Sequence, residues 1–283
     1  MPLNLGNIAQ QATQMAIDFR HQERQEGPEL AKRLLRETDP AELVDRLDNW
    51  PESAAWLMAK PLGELNAAIP AQTLPANFSV VSPDGSTKGP DRHWPVRYFI
   101  LNTGAVLLTY GSSPPADMQS REQFCFQEQD LYVPAVRRSQ PVQGAILEIK
   151  MIVEELRALL QMARQAPPPV VALTDGVIIL WGLDGVDHEV RMEFLAPFLD
   201  TLDGFRDAEI PIANYISLPN AHDVVNSLRL AVCERRAGDC PSCQGATDGP
   251  LPCHKLTGVA DRQVFDDLPR GHRSDCFASS VRI

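Results

Sequence analysis

Apolar positions along the first seventy residues recur at helical spacing. Ile8, Ala12, Met15, Ile17 and Phe19 approximate one stripe, and Leu30, Leu34, Leu35, Leu43, Val44 and Leu47 continue it. Asp39-Pro40 reads as an N-cap followed by proline at the first helical position. Trp56, Leu57, Leu62, Leu65 and Ile69 predict a further short helix, ended by Pro70. Residues 1–75 therefore read as an N-terminal helical arm, with 71–77 as its linker.

From residue 76 the pattern changes. Phe78–Val81 predicts a short strand running into Asp84-Gly85-Ser86, which suits a tight turn, with Lys88 and Arg92 beside it. Residues 97–110 are too apolar and β-rich for a loop; they predict a strand pair or one long strand, bent or bulged at Asn102-Thr103-Gly104. Ser112–Pro115 reads as a turn, and residues 123–126 and 130–133 as another strand with a break. The clearest helix spans 143–165, with Ile152, Leu156, Leu159 and Ala163 as its stripe and Pro167-Pro168-Pro169 as its stop. Val170–Leu173 is a strand of the fully buried kind, and it ends on Asp175-Gly176. A helix at 187–206, a strand at 211–216 and a helix at 221–232 capped by Asn220 complete the series. Strand–Asp, strands, helix, strand–Asp, helix, strand, helix resembles the order of a ribonuclease H-like fold. The expected class is α/β: a mixed sheet flanked by helices, its first and fourth strands side by side.

That adjacency would set the two strand-end aspartates face to face. A single Asp-Gly marks only a turn; its repetition after two matched strands is what points to chemistry. Carboxylates held a few ångströms apart repel one another unless a cation sits between them. Such a cluster predicts Mg²⁺ or Mn²⁺, hard ions that prefer oxygen ligands, and metal-activated water is the means by which phosphodiesters are cut. The helix between the aspartates should lend a third ligand from Glu148, Glu154 or Glu155. Spacing leaves Glu154 and Glu155 both open, with Glu155 preferred.

Composition fits this picture. The chain has 283 residues, 44% of them hydrophobic, enough for a substantial core, and a formal net charge of −11. An acidic balance argues against a protein that coats polyanions generally. It leaves room for an enzyme gripping nucleic acid in a local groove, where metal ions offset acidic residues. No apolar run approaches the ~20 residues needed to span a bilayer, and the N-terminus lacks a signal-peptide pattern. A cytoplasmic location is expected, with the six cysteines reduced or metal-bound. The six histidines form no His-x3-His or His-Glu-x-x-His arrangement, and no phosphate-binding glycine loop occurs.

Four motifs in order carry a family resemblance. Ser82-Pro-Asp-Gly-Ser-Thr87, followed by Arg97–Gly111, resembles the first motif of the NurA nuclease family. Val171–Trp181 resembles its second aspartate motif, with Val177 in place of the usual serine. Asn214-Tyr-Ile-Ser-Leu-Pro219 with Asp223–Arg229 resembles its Tyr-Ile-Ser-x-Pro segment and following helix. Asp261-Arg262, Phe265 and Gly271–Ser274 resemble the late Asp-Arg…Phe…Gly-Glu-Arg-Ser stretch, with His272 in the glutamate's place. The resemblance implies a nuclease domain over residues 76–283, and a Mn²⁺-dependent deoxyribonuclease with 5′-to-3′ exonuclease and single-strand endonuclease action. It also implies a homodimer working with a HerA-type hexameric translocase in DNA-end resection and repair. By position, Asp84, Glu155 or Glu154, and Asp175 would be catalytic and hold the metal; Ser86, Lys88, Tyr215 and Arg273 would meet substrate. Family members continue to a further segment with a histidine near the site, so the domain is expected to be incomplete at Ile283. A non-catalytic adaptor of the same fold, docking on a translocase, is the alternative.

Cys233, Cys240, Cys243 and Cys253 follow C-x6-C-x2-C-x9-C within a Gly- and Pro-containing stretch. This predicts a structural Zn²⁺ clip on an insertion at 233–254, with an iron–sulfur cluster possible on the same ligands. Cys125 and Cys276 have no partners by spacing and are expected in the core. Arg137-Arg138, Arg235-Arg236 and Arg270/Arg273 are small basic patches, of which the last two could meet phosphates.

Overall fold

A computed structural model describes residues 5–22, 26–50, 57–91, 93–111, 116–135, 139–176, 178–183, 185–233 and 251–279. The chain divides into two compact units, one of residues 73–217 and one formed jointly by residues 1–72 and 218–283.

The 73–217 unit is built on a five-stranded sheet: β1 (Phe78–Lys88), β2 (Phe99–Tyr110), β3 (Asp117–Cys125), β4 (Val170–Asp175) and β5 (Ile212–Tyr215), in spatial order β3-β2-β1-β4-β5. The three consecutive strands pair antiparallel, while β4 joins β1 and β5 joins β4 in parallel. Parallel neighbours need long crossovers. Helix α1 (Ala145–Ala163) precedes β4, and α2 (His188–Asp207) links β4 to β5. First and fourth strands are thus side by side, as the element order implies.

The residues of α1 are mostly Ala, Leu, Met, Glu and other good helix formers. It packs on β1 and β2 and also against α2. That double contact explains why its buried positions (Leu147, Ile149, Met151, Val153, Leu156, Leu159, Leu160 among them) wrap most of its circumference rather than one stripe. Val81, Phe99, Leu101 and Cys125 of the sheet and Val190, Phe194, Phe198 and Phe205 of α2 complete the core. Full burial of each large side chain is worth about 1.5–3 kcal/mol relative to exposure.

Two expectations about this sheet are corrected. The chain does not turn at Asp84-Gly85-Ser86; β1 continues to Lys88, because every residue from Phe78 to Lys88 has a partner in β2. Nor is there a bulge at 102–104, where the register to β1 and β3 stays regular. Asp-Gly is a turn signal that a long antiparallel ladder overrides, since Gly85 and Gly104 are tolerated in a paired strand.

In the other unit, helices Leu5–Gln22, Gly27–Glu37 and Pro40–Asp48 from the N-terminal part accompany Asp223–Ala231 from the C-terminal part. Asp39 caps as expected, its carboxylate accepting from Ala41 N at 2.9 Å. Ala31, Leu35, Leu43 and Leu65 share one core with Val224, Val225, Leu228 and Leu256. In the first helix, by contrast, Ile8, Met15 and Ile17 are exposed. The short helix expected up to Pro70 is not found among the described residues from 57; Ala59–Pro61 and Ile69–Pro70 are strands, paired with Phe277–Ser279 and His272–Arg273. Their partners lie some two hundred residues away, where no local periodicity could announce them.

The helix Asp223–Ala231 lacks the expected Asn220 cap and starts after His222. Its N-terminus is satisfied instead by Asp261, whose carboxylate accepts from Val225 N at 2.9 Å and Val224 N at 3.2 Å. At its other end Arg46 donates to the carbonyl oxygens of Leu230, Ala231 and Cys233. Both contacts complement the helix dipole.

Cys125 is buried as expected, whereas Cys276 is exposed, being in a short connection before the 277–279 strand. Cys240 and Cys243 lie outside the described residues, as do Arg137-Arg138, Arg235-Arg236 and the 112–115 turn. Among the described residues no helix is long and apolar enough to cross a membrane.

Candidate metal centre

The two aspartates stand on neighbouring parallel strands. Their last backbone pair is Val81 with Ala172, and Asp84 and Asp175 each come three residues later. Equal advance along parallel strands puts them at the same level of the sheet. Each is then held from its outer side: Asp84 opposite Gly104 of β2, Asp175 opposite Tyr215 of β5. Beyond Asp175 the chain turns through Gly176 at φ +83°, a conformation that a side chain would strain. Asn214 fixes that turn by donating Nδ2–H to the Gly176 oxygen at 2.6 Å. The Gly176 N–H in turn donates to the Tyr215 oxygen at 3.3 Å.

Helix α1 supplies the third carboxylate. A Cβ added at Gly85 would run into Met151 Cε and Glu155 Oε1. The Glu155 head group therefore lies against the β1 backbone beside Asp84, in the space that Gly85 leaves.

Asp84, Glu155 and Asp175 line one cavity of about 420 Å³, together with Glu148 two turns earlier on α1. Ile149, Ile152, Leu156, Ile178, Leu180 and Phe198 form its apolar wall. No lysine, arginine or histidine is among the described residues of this lining. Burial first, and then the negative charges of Asp84 and Asp175, push the Glu155 pKa upward. On the same wall, Thr174 Oγ1 is buried with no hydrogen-bond partner among the described residues.

Glu154, one residue away, points elsewhere. It pairs with Arg157 at 2.7 Å and lines a separate cavity with residues of β2 and β3. Ser86 and Lys88 are exposed on β1 past Asp84, and Tyr215 is exposed at the end of β5; none of the three lines the carboxylate cavity. Arg273 belongs to the other unit, where its guanidinium donates to the Ser274 oxygen at 2.8 Å.

The donor set is chemically right for a hard divalent cation: carboxylate oxygens, a spare hydroxyl and neither thiolate nor imidazole. Among the described residues no three Asp, Glu, His or Cys side chains are drawn together tightly enough to enclose an ion. What the fold provides is the shared cavity and an uncompensated concentration of negative charge. Two contributors had no assigned role in the sequence reading. Asn214 sits in a quoted motif, but its contact with Gly176 spans 38 positions. Gly85 was read as a turn former, although it is room for Glu155 that it provides.

The strand order, parallel first and fourth strands and flanking helices define the ribonuclease H-like class. The NurA domain profile matches residues 78–280. With more than two thirds of its length matched, the chain belongs to the NurA family. Similar solved structures include the NurA nuclease from Sulfolobus solfataricus, at 12% identity over 82% of this chain and 67% of that one, with a TM-score of 0.38. A type 1 RNase H with the type 2 active-site motif is 13% identical over 56% of this chain and 72% of its own, at a TM-score of 0.25. Thermus thermophilus RuvC is 13% identical over 67% and 93%, at 0.19. No curated protein matches the chain.

Proposed function

We propose that the protein is a divalent-metal-dependent deoxyribonuclease in which Asp84, Glu155 and Asp175 hold the cation. The observation that carries this reading is the cavity they share: four carboxylates with no basic residue in the described lining, and a Glu155 proton affinity raised by burial and then by the two aspartates. Membership of the NurA family supports a nuclease role.

A bound Mn²⁺ or Mg²⁺ would supply an acidified water and screen charge on the leaving oxygen of the phosphodiester. The chain's own contribution is positional. Asp84 and Asp175 are fixed by separate strands and Glu155 by α1, so the three acids border one cavity from rigid elements. Glu155 binds the cation only after giving up its proton, which makes metal uptake pH-dependent. The apolar wall of Ile152, Leu156 and Ile178 borders Glu155, which is half-buried, while Asp84 and Asp175 stay open to solvent. Glu148 lines the same cavity two turns earlier on α1 and would add a fourth carboxylate oxygen donor to it.

From the family we take the finer features: Mn²⁺ as the working ion, 5′-to-3′ exonuclease and single-strand endonuclease action, a homodimer, and a HerA-type hexameric translocase as partner in end resection and repair. Ser86, Lys88, Tyr215 and Arg273 are proposed substrate contacts. Cys233, Cys240, Cys243 and Cys253 are proposed as a zinc clip, tested by metal content of the purified protein.

The deciding experiment is degradation of linear DNA with Mn²⁺ by wild type, Asp84→Ala and Asp175→Ala. Loss of several kcal/mol of transition-state stabilisation corresponds to at least about 10²–10³-fold slower cleavage in each variant. Undiminished cleavage by either variant removes the mechanism. A wild-type protein that binds a translocase but cuts nothing is the adaptor instead.

A further inference from the structure

A second cavity, about 550 Å³, opens on the other flank of α1, against β2 and β3. Its character is opposite to that of the carboxylate cavity. Thr103, Arg121, Gln123, Glu154, Arg157 and Gln161 are among its lining residues. Glu154 is already neutralised by Arg157 at 2.7 Å. Arg121 is exposed, and its guanidinium has no hydrogen-bond or ion-pair partner among the described residues. The groove therefore carries one uncompensated positive charge in a chain whose formal net charge is −11.

Register ties the groove to the metal centre. Gly85 of β1 is opposite Thr103 of β2, which is opposite Arg121 of β3. Directly opposed residues share a face of the sheet, and Gly85 faces α1, where it abuts Glu155. Two strand spacings of about 4.8 Å place the Arg121 backbone roughly 10 Å from Gly85 along that row. A guanidinium binds phosphate through paired N–H donors. The Thr103 hydroxyl and the Gln123 and Gln161 amides add donors and acceptors suited to sugar and base edges.

We propose that this groove holds a flanking phosphate of the single DNA strand being cut, with Arg121 as its anchor. This rests on the nuclease reading above. Arg121 acts as a positioning residue, remote from the bond that breaks.

The test is steady-state cleavage of a fluorescent single-stranded oligonucleotide with Mn²⁺ at several salt concentrations, by wild type, Arg121→Ala and Arg121→Lys. The alanine variant is expected to raise KM about tenfold, the value of one charged hydrogen bond, while kcat stays within about twofold. Its log–log salt dependence of kcat/KM should become shallower by about one. Lysine keeps the charge but loses the fork, and should fall between the two in KM. Unfolding midpoints should be alike, since Arg121 is exposed. An unchanged KM and salt slope, or a fall in kcat at constant KM, overturns the assignment of Arg121. Absence of cleavage by wild type overturns the nuclease reading itself, which is a separate result.

Discussion

Glu154 and Glu155 are sequence neighbours that the fold sends to different cavities. Successive helical residues differ by about 100° around the axis, so adjacent glutamates cannot both face one pocket. Sequence alone could not choose between them, because α1 is buried on most of its circumference and gives no single apolar stripe to measure from. The two aspartates were legible, each being the acidic end of an apolar run. Glu155 also yields a pH prediction. Burial and the neighbouring acids raise its folded-state pKa above the unfolded value, so the folded protein holds this proton more tightly than the unfolded chain does. As far as this group counts, stability is greatest below the unfolded pKa and falls as pH rises through the interval up to the folded one. Above that the penalty is complete. Glu155→Gln cannot ionise, so the metal-free variant should melt at a higher temperature than wild type at neutral pH and lose the part of the pH dependence that belongs to this group. It should also cut DNA at least about 10²-fold more slowly. An unchanged or lower midpoint in calorimetry contradicts the electrostatic account.

At the level of elements, α1, α2, β4 and β5 were visible in the sequence because their patterns are set by local burial. β1 was visible only in part. Its last residues read as a turn from composition and become strand through pairing with β2, a contact that composition does not encode. The strands at 59–61 and 69–70 were missed for the same reason, since their partners come from the far end of the chain. The helix Asp223–Ala231 depends on remote caps in a comparable way. Asp261→Ala removes the acceptor for two backbone N–H groups and should cost about 1–2 kcal/mol, within the range of lost N-caps. It should also lower the pKa of Asp223, which burial and then the Asp261 charge now push up. Chemical denaturation and titration by NMR check the two effects, and a loss well under 0.5 kcal/mol, about the smallest cost of a lost cap, contradicts the capping role.

For the whole molecule, the division into units is the feature least readable from sequence. Residues 1–75 read as a helical arm packed on the rest of the chain or on a partner, and in the structure its apolar residues share a core with residues 224–264. The sheet unit is one continuous stretch with its own core. Residues 73–217 alone should therefore retain helical and strand content and unfold cooperatively. Deleting residues 1–72 should leave the 218–279 part without its packing partners, seen as lost amide protection there while β1–β5 stay protected. Uniform loss across both parts contradicts this division.

The pairing of β1 with β4 stops at Val81 and Ala172, short of the two aspartates. Above that rung the sheet is an open seam, with one acid stitched to the left half and the other to the right. The β1–β4 ladder does not extend to this level, so a cation held there, as proposed, would be able to draw the halves together without dismantling it. Charge at the mouth of the seam, rather than the rigid frame below it, then governs its width.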